Sequence, residues 1–348
     1  MNLAKYALRS SSRVESAGEE WKVQLIDVLA MQYDRWRRAN QNLPQLTKPE
    51  ILRSLGVSRG PLLCVDGKGG VEAAAVPTVE RYSADSDKLA YYRPSTGTTE
   101  LLVIRDSDAL LTGSVQRLIT MLESSWIAQD ATGANMVWPY HDFDIGATLY
   151  RHGFAPDAII AYQSSNDLAK NLRGPAPKQK ICTRFGSPKD LASLVALQEE
   201  VLAAHIPLSP FAHRVPTVAT QFRERLARMW EGQPAGTDVP IVTVAEQNGD
   251  IIGMSEGFVK LSSRQFNMLL PPGRYGYINT FGVFPKYRGS GIGTYLARAV
   301  AASLLDLDIK GIYLYFSVYN KPAETFWKKM GYDPLWRTYQ RHDLRESA

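Results

Sequence analysis

The chain has 348 residues, enough for two domains of ordinary size. Its 45% apolar and 22% charged residues give a globular composition, and no apolar run approaches the roughly 20 residues that cross a bilayer. Net charge is +5, and it is uneven: Lys and Arg outnumber Asp and Glu 21 to 15 over 174–348, against 19 to 20 over 1–173. A basic half suits a polyanionic ligand, whether a phosphorylated cofactor or a nucleic acid. Cys64 and Cys182 fall in separate halves and lack neighbours at ligand spacing, which argues against a disulfide framework and a zinc site. The segment MNLAKYALRSSSRVESAGEE lacks the apolar core of a secretory signal, so a cytoplasmic protein is expected.

In chain order, an N-terminal strand precedes helices near 18–37 and 48–55. Strands follow near 61–66, 71–82 and 98–104, then a helix over 113–128. Asn135 to Trp138 reads as a strand, Asp144 to His152 as a helix and Pro156 to Tyr162 as a last strand. Over 164–180 the apolar period lapses and Ser, Asn, Gly and Pro accumulate, so 166–178 reads as a linker between domains at 1–165 and 179–348.

Ile181 to Arg184 opens the second half as a strand. Ser187-Pro188-Lys189-Asp190 supplies an N-cap, a Pro at the first helical position and an acid at the third. The loop HIPLSPFAHRVP leads to a helix through QFRERLARMW. Asn248-Gly249 between two strand runs predicts a hairpin. Tyr275 to Val283 is a strand, followed by a glycine-rich turn and a helix. Ile312 to Ser317, Pro322 to Met330 and Pro334 to Arg341 give strand, helix and strand. Both halves thus run β-α-α-β-β-β-α-β-α-β. TLYRHGFAPD in the first matches TFWKKMGYDP in the second, which points to two copies of one fold. The expected class is α/β (α+β): each half a mixed, mostly antiparallel sheet flanked by helices.

The turn after Val283 carries the chemistry. A strand ends, glycines let the backbone approach an anion without a Cβ in the way, and a helix N-terminus adds partial positive charge. The glycine spacing is not that of a dinucleotide fold, and the Gly-Lys-Ser/Thr of a Walker loop is absent.

Val283-Phe284-Pro285-Lys286-Tyr287-Arg288-Gly289-Ser290-Gly291-Ile292-Gly293 resembles motif A of the GNAT superfamily of N-acetyltransferases, Arg/Gln-x-x-Gly-x-Gly/Ala. About 30 residues on, Asn320-Lys321-Pro322-Ala323 through Gly331-Tyr332 is similar to motif B. The resemblance is close over 178–345 and only in outline over 1–165. It implies tandem GNAT-like domains and a V-shaped opening between the strands ending at Val283 and near Ser317. Acetyl-CoA or another acyl-CoA would bind there as cosubstrate, with no metal. Backbone groups of Phe281, Gly282 and Val283 would take the pantetheine, and Arg288, Gly289, Ser290, Gly291, Ile292, Gly293 and Thr294 the pyrophosphate. Asn320 would approach from the other side. The first half departs from the pattern: Arg105-Asp106-Ser107-Asp108 stands where the loop would be, and its acids would repel a pyrophosphate. A single cofactor site is expected.

The family reaction is direct attack of an amine on a thioester, with the Val283 N–H as an oxyanion-type donor. The Tyr that many relatives carry seven residues after the motif B Asn is Trp327 here, so Tyr319 and Tyr332 are the proton-donor candidates. The strand entering motif A lacks the frequent Glu; Glu256 on the neighbouring strand is the candidate base. His205 and His213 flank a loop that borders the acceptor pocket in this fold, together with the hairpin at Asn248 and a face of the first half. HDFDIG reads as a helix start, not a metal site. Three functions remain open: an acyl-CoA:amine N-acyltransferase acting on a small molecule, a transferase of this fold using aminoacyl-tRNA as donor, and a non-catalytic acyl-CoA-binding module. No DNA or membrane partner is expected. The duplicated half would replace a homodimer partner and leave a monomer.

Overall fold

A computed structural model describes residues 7–8, 20–57, 61–173, 180–232, 240–265 and 268–345. The first half comprises β1 (Ala7–Leu8), α1 (Glu20–Ala39), α2 (Lys48–Val57), β2 (Leu62–Gly67), β3 (Gly70–Arg81), β4 (Ser95–Ile104), α3 (Asp108–Leu111), α4 (Ser114–Ala128), β5 (Gly133–Pro139), α5 (Gly146–Arg151), β6 (Ala155–Ser164) and α6 (Ser165–Asn171). The second comprises β7 (Cys182–Phe185), α7 (Leu191–His205), α8 (Thr217–Trp230), β8 (Ile241–Gln247), β9 (Asp250–Ser262), β10 (Gly273–Val283), α9 (Ile292–Leu305), β11 (Gly311–Ser317), α10 (Lys321–Lys329) and β12 (Asp333–His342). The duplicated order is present, with α3 and α6 added. The start of the expected linker is helix α6, opened by the Ser164 side chain accepting from Asp167 N; residues 174–178 of it lie outside the described residues.

All the described strands join one sheet in the order β1-β2-β3-β4-β5-β12-β6-β11-β10-β9-β8-β7. Only β1–β2, β4–β5 and β10–β11 run parallel, so the sheet is mixed and mostly antiparallel. The order contains an exchange. Strand β6 ends the first half in sequence, yet pairs with β11 of the second along Gly311–Ser317. Strand β12 ends the second half, yet pairs with β5 of the first from Gly133 to Pro139. The two exchanged strands also pair with each other. Each half therefore completes its sheet with the other's last strand, and the sequence boundary divides the chain but not the sheet.

Opposite sheet faces carry different helices. Leu194, Leu197, Phe222 and Leu226 of α7 and α8 pack with Val242, Val244 and Met254 on one face. Leu296, Val300 and Leu304 of α9 pack with Ile278, Ile312 and Leu314 on the other. Against expectation, the helical run Pro188–Leu208 is long and apolar enough by composition to cross a bilayer. Here Leu194, Val195, Leu197 and Leu202 along it are buried inside the protein.

The Ser187–Asp190 capping box is present. Arg184 on β7 donates to Asp190 at 2.7 Å and pairs with Glu246 of β8 at 2.7 Å. The Arg184 guanidinium, aided by Ser187, holds the Asp190 carboxyl far below its ordinary range. Its folded-state pKa is depressed, so its stabilising contribution is present above the unfolded carboxylate value and lost as pH falls through the folded value. Urea midpoints of wild type and Asp190→Asn are expected to differ most near neutrality and to converge below about pH 4. A gap independent of pH would contradict this role.

Candidate active site

The splay between β10 and β11 follows from their register. They pair only at Gly276–Ile312, Tyr277–Tyr313 and Ile278–Leu314. Beyond that, β10 runs on against β9 alone, and β11 against β6. Three residues past the last rung, Phe281 on β10 and Ser317 on β11 stand on opposite arms. An irregularity between Ile278 and Thr280 interrupts the β10 ladder at the base of the opening. From Phe281 to Val283 the inner edge of β10 has no strand partner, so its backbone can pair with an extended ligand. Gly282 is required for a different reason: a Cβ there would lie 2.2 Å from Val201 Cγ2, because α7 packs directly on the strand.

At the mouth of the opening lies the glycine loop. Gly289 and Gly291 hold positive φ of 81° and 85°, and the space beyond both is open. Gly291 caps α9, whose first N–H groups have no intrahelical partner. Arg288, Gly289, Ser290 and Gly291 are exposed, Gly293 and Thr294 half-buried, and Ile292 anchors the helix in the core. Arg288 Nε donates to Val283 O at 2.9 Å, tying the loop to the strand end and leaving its terminal nitrogens available. The Ser290 hydroxyl donates to Tyr287 O at 2.7 Å, so its backbone faces the anion position more than its side chain does. These residues fit a pyrophosphate: open space, convergent amides and a fixed cation.

The far side of the opening is aromatic. Phe326 stacks on Phe281 at 5.6 Å, and Trp327 meets Phe281 edge-on at 5.0 Å. Asn320 accepts from Ala323 N at 3.1 Å and caps α10, so its side-chain oxygen is committed to the helix. Tyr332, the second proton-donor candidate, points into the core instead of the opening. It is buried against Trp327 in the α9–α10 core, where burial pushes its phenol well up. Tyr319 is 40% exposed beside Asn320, and its phenol is raised by partial burial and by Asp157.

On the α8 side of the sheet the structure forms a cleft between the halves. Its floor is Tyr277, Tyr313 and Tyr315, with Tyr277 and Tyr313 stacked at 5.0 Å. Facing it are Tyr91 and Tyr92 from the segment before β4, both within electrostatic reach of Tyr277. Tyr91 and Tyr315 are 38% and 39% exposed, yet surrounding protein pushes both phenols up, Tyr91 to about 12. Exposed surface within dense surroundings describes a concave wall.

Glu256 is in this cleft but is not a free base. It is fully buried, receives Arg225 Nε at 2.9 Å and Asn279 Nδ2 at 2.7 Å, and so has its lone pairs committed. Arg225 also reaches Asp87 of the first half at 2.6 Å. His205 packs against Tyr91 at 5.7 Å on the cleft rim, where burial lowers its pKa, while His213 N donates to Ala90 O. The Asn248 hairpin is elsewhere. Gly253 pairs with Val283, which sets the hairpin at the cofactor-loop end of β9, away from Glu256.

Sequence reasoning missed Asp157, at the start of exchanged strand β6. Val318 N donates to its carbonyl. Its carboxylate accepts from Gln340 at 2.7 Å, Thr338 at 3.4 Å and Ser209 at 3.5 Å, all neutral groups of the second half. The sequence signal was the aligned tail TLYRHGFAPD, which marks the strand but not its destination.

The first half has the same splay, with β4 and β5 paired only at Thr96–Gly133 and Gly97–Ala134. There the chain supplies its own ligands. Gln32 of α1 donates to Leu102 O at 2.9 Å and accepts from Ile104 N at 2.8 Å, matching the pattern of an added strand. Arg35 donates to Arg105 O at 2.6 Å and pairs with Asp142 beyond β5 at 3.0 Å, closing the opening. Asp106 accepts from the N–H groups of Asp108 and Ala109, where a phosphate would be held. Asp144 of HDFDIG accepts from Gly146 N, a helix start. Among the described residues no group of His, Cys, Asp and Glu could hold a metal.

Residues 211–332 match the family described as Acetyltransferase (GNAT) family. That segment is a GNAT domain. No curated protein matches the sequence. Among solved structures, a GCN5-related N-acetyltransferase from Sphaerobacter thermophilus is 15% identical over 93% of this chain and 93% of its own, with a TM-score of 0.53. A tandem GNAT protein from the clavulanic acid biosynthesis pathway is 14% identical over 95% and 97%, with a TM-score of 0.43. A functionally unknown conserved protein from Staphylococcus epidermidis is 13% identical over 78% and 91%, with a TM-score of 0.45.

Proposed function

We propose that the chain is an N-acyltransferase that moves an acyl group, acetyl in the simplest case, from acyl-CoA to the amine of a small molecule. The observation that carries this reading is the opening between β10 and β11, with the unpaired edge of Phe281 to Val283 inside it and the glycine loop at its mouth. Phe281, Gly282 and Val283 would hold the pantetheine by backbone pairing, and Gly289 to Thr294 with Arg288 the pyrophosphate. The bound thioester supplies an activated acyl carbon. An amine in the cleft would form the C–N bond as the C–S bond breaks with its electron pair on sulfur, and one nitrogen proton would pass to sulfur. Tyr319, just past the end of β11 on the arm opposite Phe281, would be the donor to that sulfur. The exchange of β6 and β12 within one chain supports a monomer, because each half already has its partner strand.

Thiol release from acetyl-CoA with a panel of small primary amines tests the reading. Amine-dependent turnover in the wild type is expected, with kcat lowered roughly 10²-fold in Tyr319→Phe while acetyl-CoA binding is unchanged. Binding of acetyl-CoA without turnover for any amine would favour a sensor. Binding of total tRNA that falls steeply with salt, without acetyl-CoA binding, would favour the aminoacyl-tRNA donor.

A further inference from the structure

Two carboxylates border the cleft near its junction with the opening, and their electrostatic states differ. Glu256 is neutralised by Arg225, which it shares with Asp87. Asp157 has no cationic partner among the described residues; its contacts are the amide of Gln340 and the hydroxyls of Thr338 and Ser209. Asp157 is half-buried. Its position follows from the strand exchange. Ala158 pairs with Ser317, the residue opposite Phe281 across the splay, and Val318 N donates to Asp157 O. The first half's last strand thus carries a carboxylate to the second half's acyl junction.

The groups around Asp157 suit a cation. Tyr91 and Tyr92 from the segment before β4, and Tyr319 after β11, lie within its electrostatic reach. From β12, Gln340 donates to it while its own oxygen faces His342 Nε2 at 3.3 Å. His342 is pushed down to about 4 by burial and by Arg93, so it carries no charge at neutral pH; Arg93 is itself paired with Asp343. A carboxylate held by neutral donors, with no cationic partner among the described residues, suits an ammonium by charge.

We propose that Asp157, delivered by the exchanged strand, binds the ammonium of the acceptor and takes its proton. The inference rests on the acyltransferase reading above and names the acceptor as a cationic amine. The proton balance is simple. An ammonium nitrogen carries three protons. One goes to the Asp157 carboxylate and on to solvent through the cleft, one to the departing sulfur, and one stays on the amide. Burial raises the Asp157 carboxyl above its ordinary range, which brings its basicity closer to that of a useful proton acceptor.

The test compares wild type, Asp157→Asn and Asp157→Glu. Expected for Asp157→Asn are an unchanged acetyl-CoA Kd by calorimetry, a loss of about 10²- to 10³-fold in kcat/KM for amines, and loss of the acidic limb of its pH profile. Partial rescue is expected in Asp157→Glu. Wild-type turnover and pH profile in Asp157→Asn would overturn the proposal while leaving the acyltransferase reading intact; failure of the wild type to bind acetyl-CoA would sink that reading instead. A second measurement needs no turnover. The Asp157 carboxyl carbon, followed by NMR, should titrate above the ordinary carboxylate range and shift down when saturating ethylamine is added. A pKa unmoved by ethylamine overturns the proposal.

Discussion

Gly291→Glu is expected to abolish acetyl-CoA binding while leaving the protein folded. Gly291 caps α9 at a φ of 85°, where any L-residue costs roughly 1–2 kcal/mol. The space beyond its Cα is open, so the side chain meets no atom of the protein. It would project a carboxylate among the amides of Ser290 to Thr294. A like charge within about 4 Å of a phosphate near a protein surface costs about 4 kcal/mol, close to a thousandfold in affinity. Gly291→Ala separates the two effects. It carries the same backbone strain without the charge and should lose similar stability but little affinity. Calorimetry with acetyl-CoA and thermal unfolding on both variants check the pair. Equal affinity in Gly291→Glu and wild type would mean that the anion binds elsewhere.

Arg225→Ala is expected to cost about 3–5 kcal/mol, because it leaves the fully buried Glu256 without its cationic partner. Arg225 also holds Asp87, so the change loosens the contact between the halves that shapes the cleft. Adding Glu256→Gln should recover part of the loss, since a neutral amide is less costly to bury than an orphaned carboxylate. Urea unfolding of the single and double variants measures this. A loss under about 1 kcal/mol for Arg225→Ala would contradict the description of Glu256 as a buried, clasped carboxylate.

Local features were legible because their causes are local. Ser187 and Asp190 announce a capped helix, Asn248-Gly249 a tight hairpin, and the spacing of Arg288, Gly289, Gly291 and Gly293 an anion loop. The same locality explains the failures. Alternation along a strand says which face is buried, not which neighbour it pairs with. Nothing in Ile159-Ile160-Ala161 or Leu335-Trp336 distinguishes a strand kept in its own half from one exchanged. Asp157 was hidden for that reason: its chemistry depends on Ser209, Thr338 and Gln340, all more than 50 residues away. The clasp of Glu256 by Arg225 could not be read, because it comes from a different element. Nor could the burial of Tyr332, because the aromatic after the motif B glycine turns into the core. The acids after β4 pointed to a first half without a cofactor, and Asp106 capping a helix gives them a structural use. Gln32 and Arg35 could not be anticipated, since they reach β4 from α1, some 70 residues earlier.

Of the two similar openings, we propose that one binds acyl-CoA, while the other is filled by the chain's own side chains. Calorimetric titration of the full chain with acetyl-CoA tests it most directly. Saturable binding at one site per chain, lost in Gly291→Glu and unaffected by Gln32→Ala, is the predicted result. No saturable binding, or two sites per chain, would contradict it.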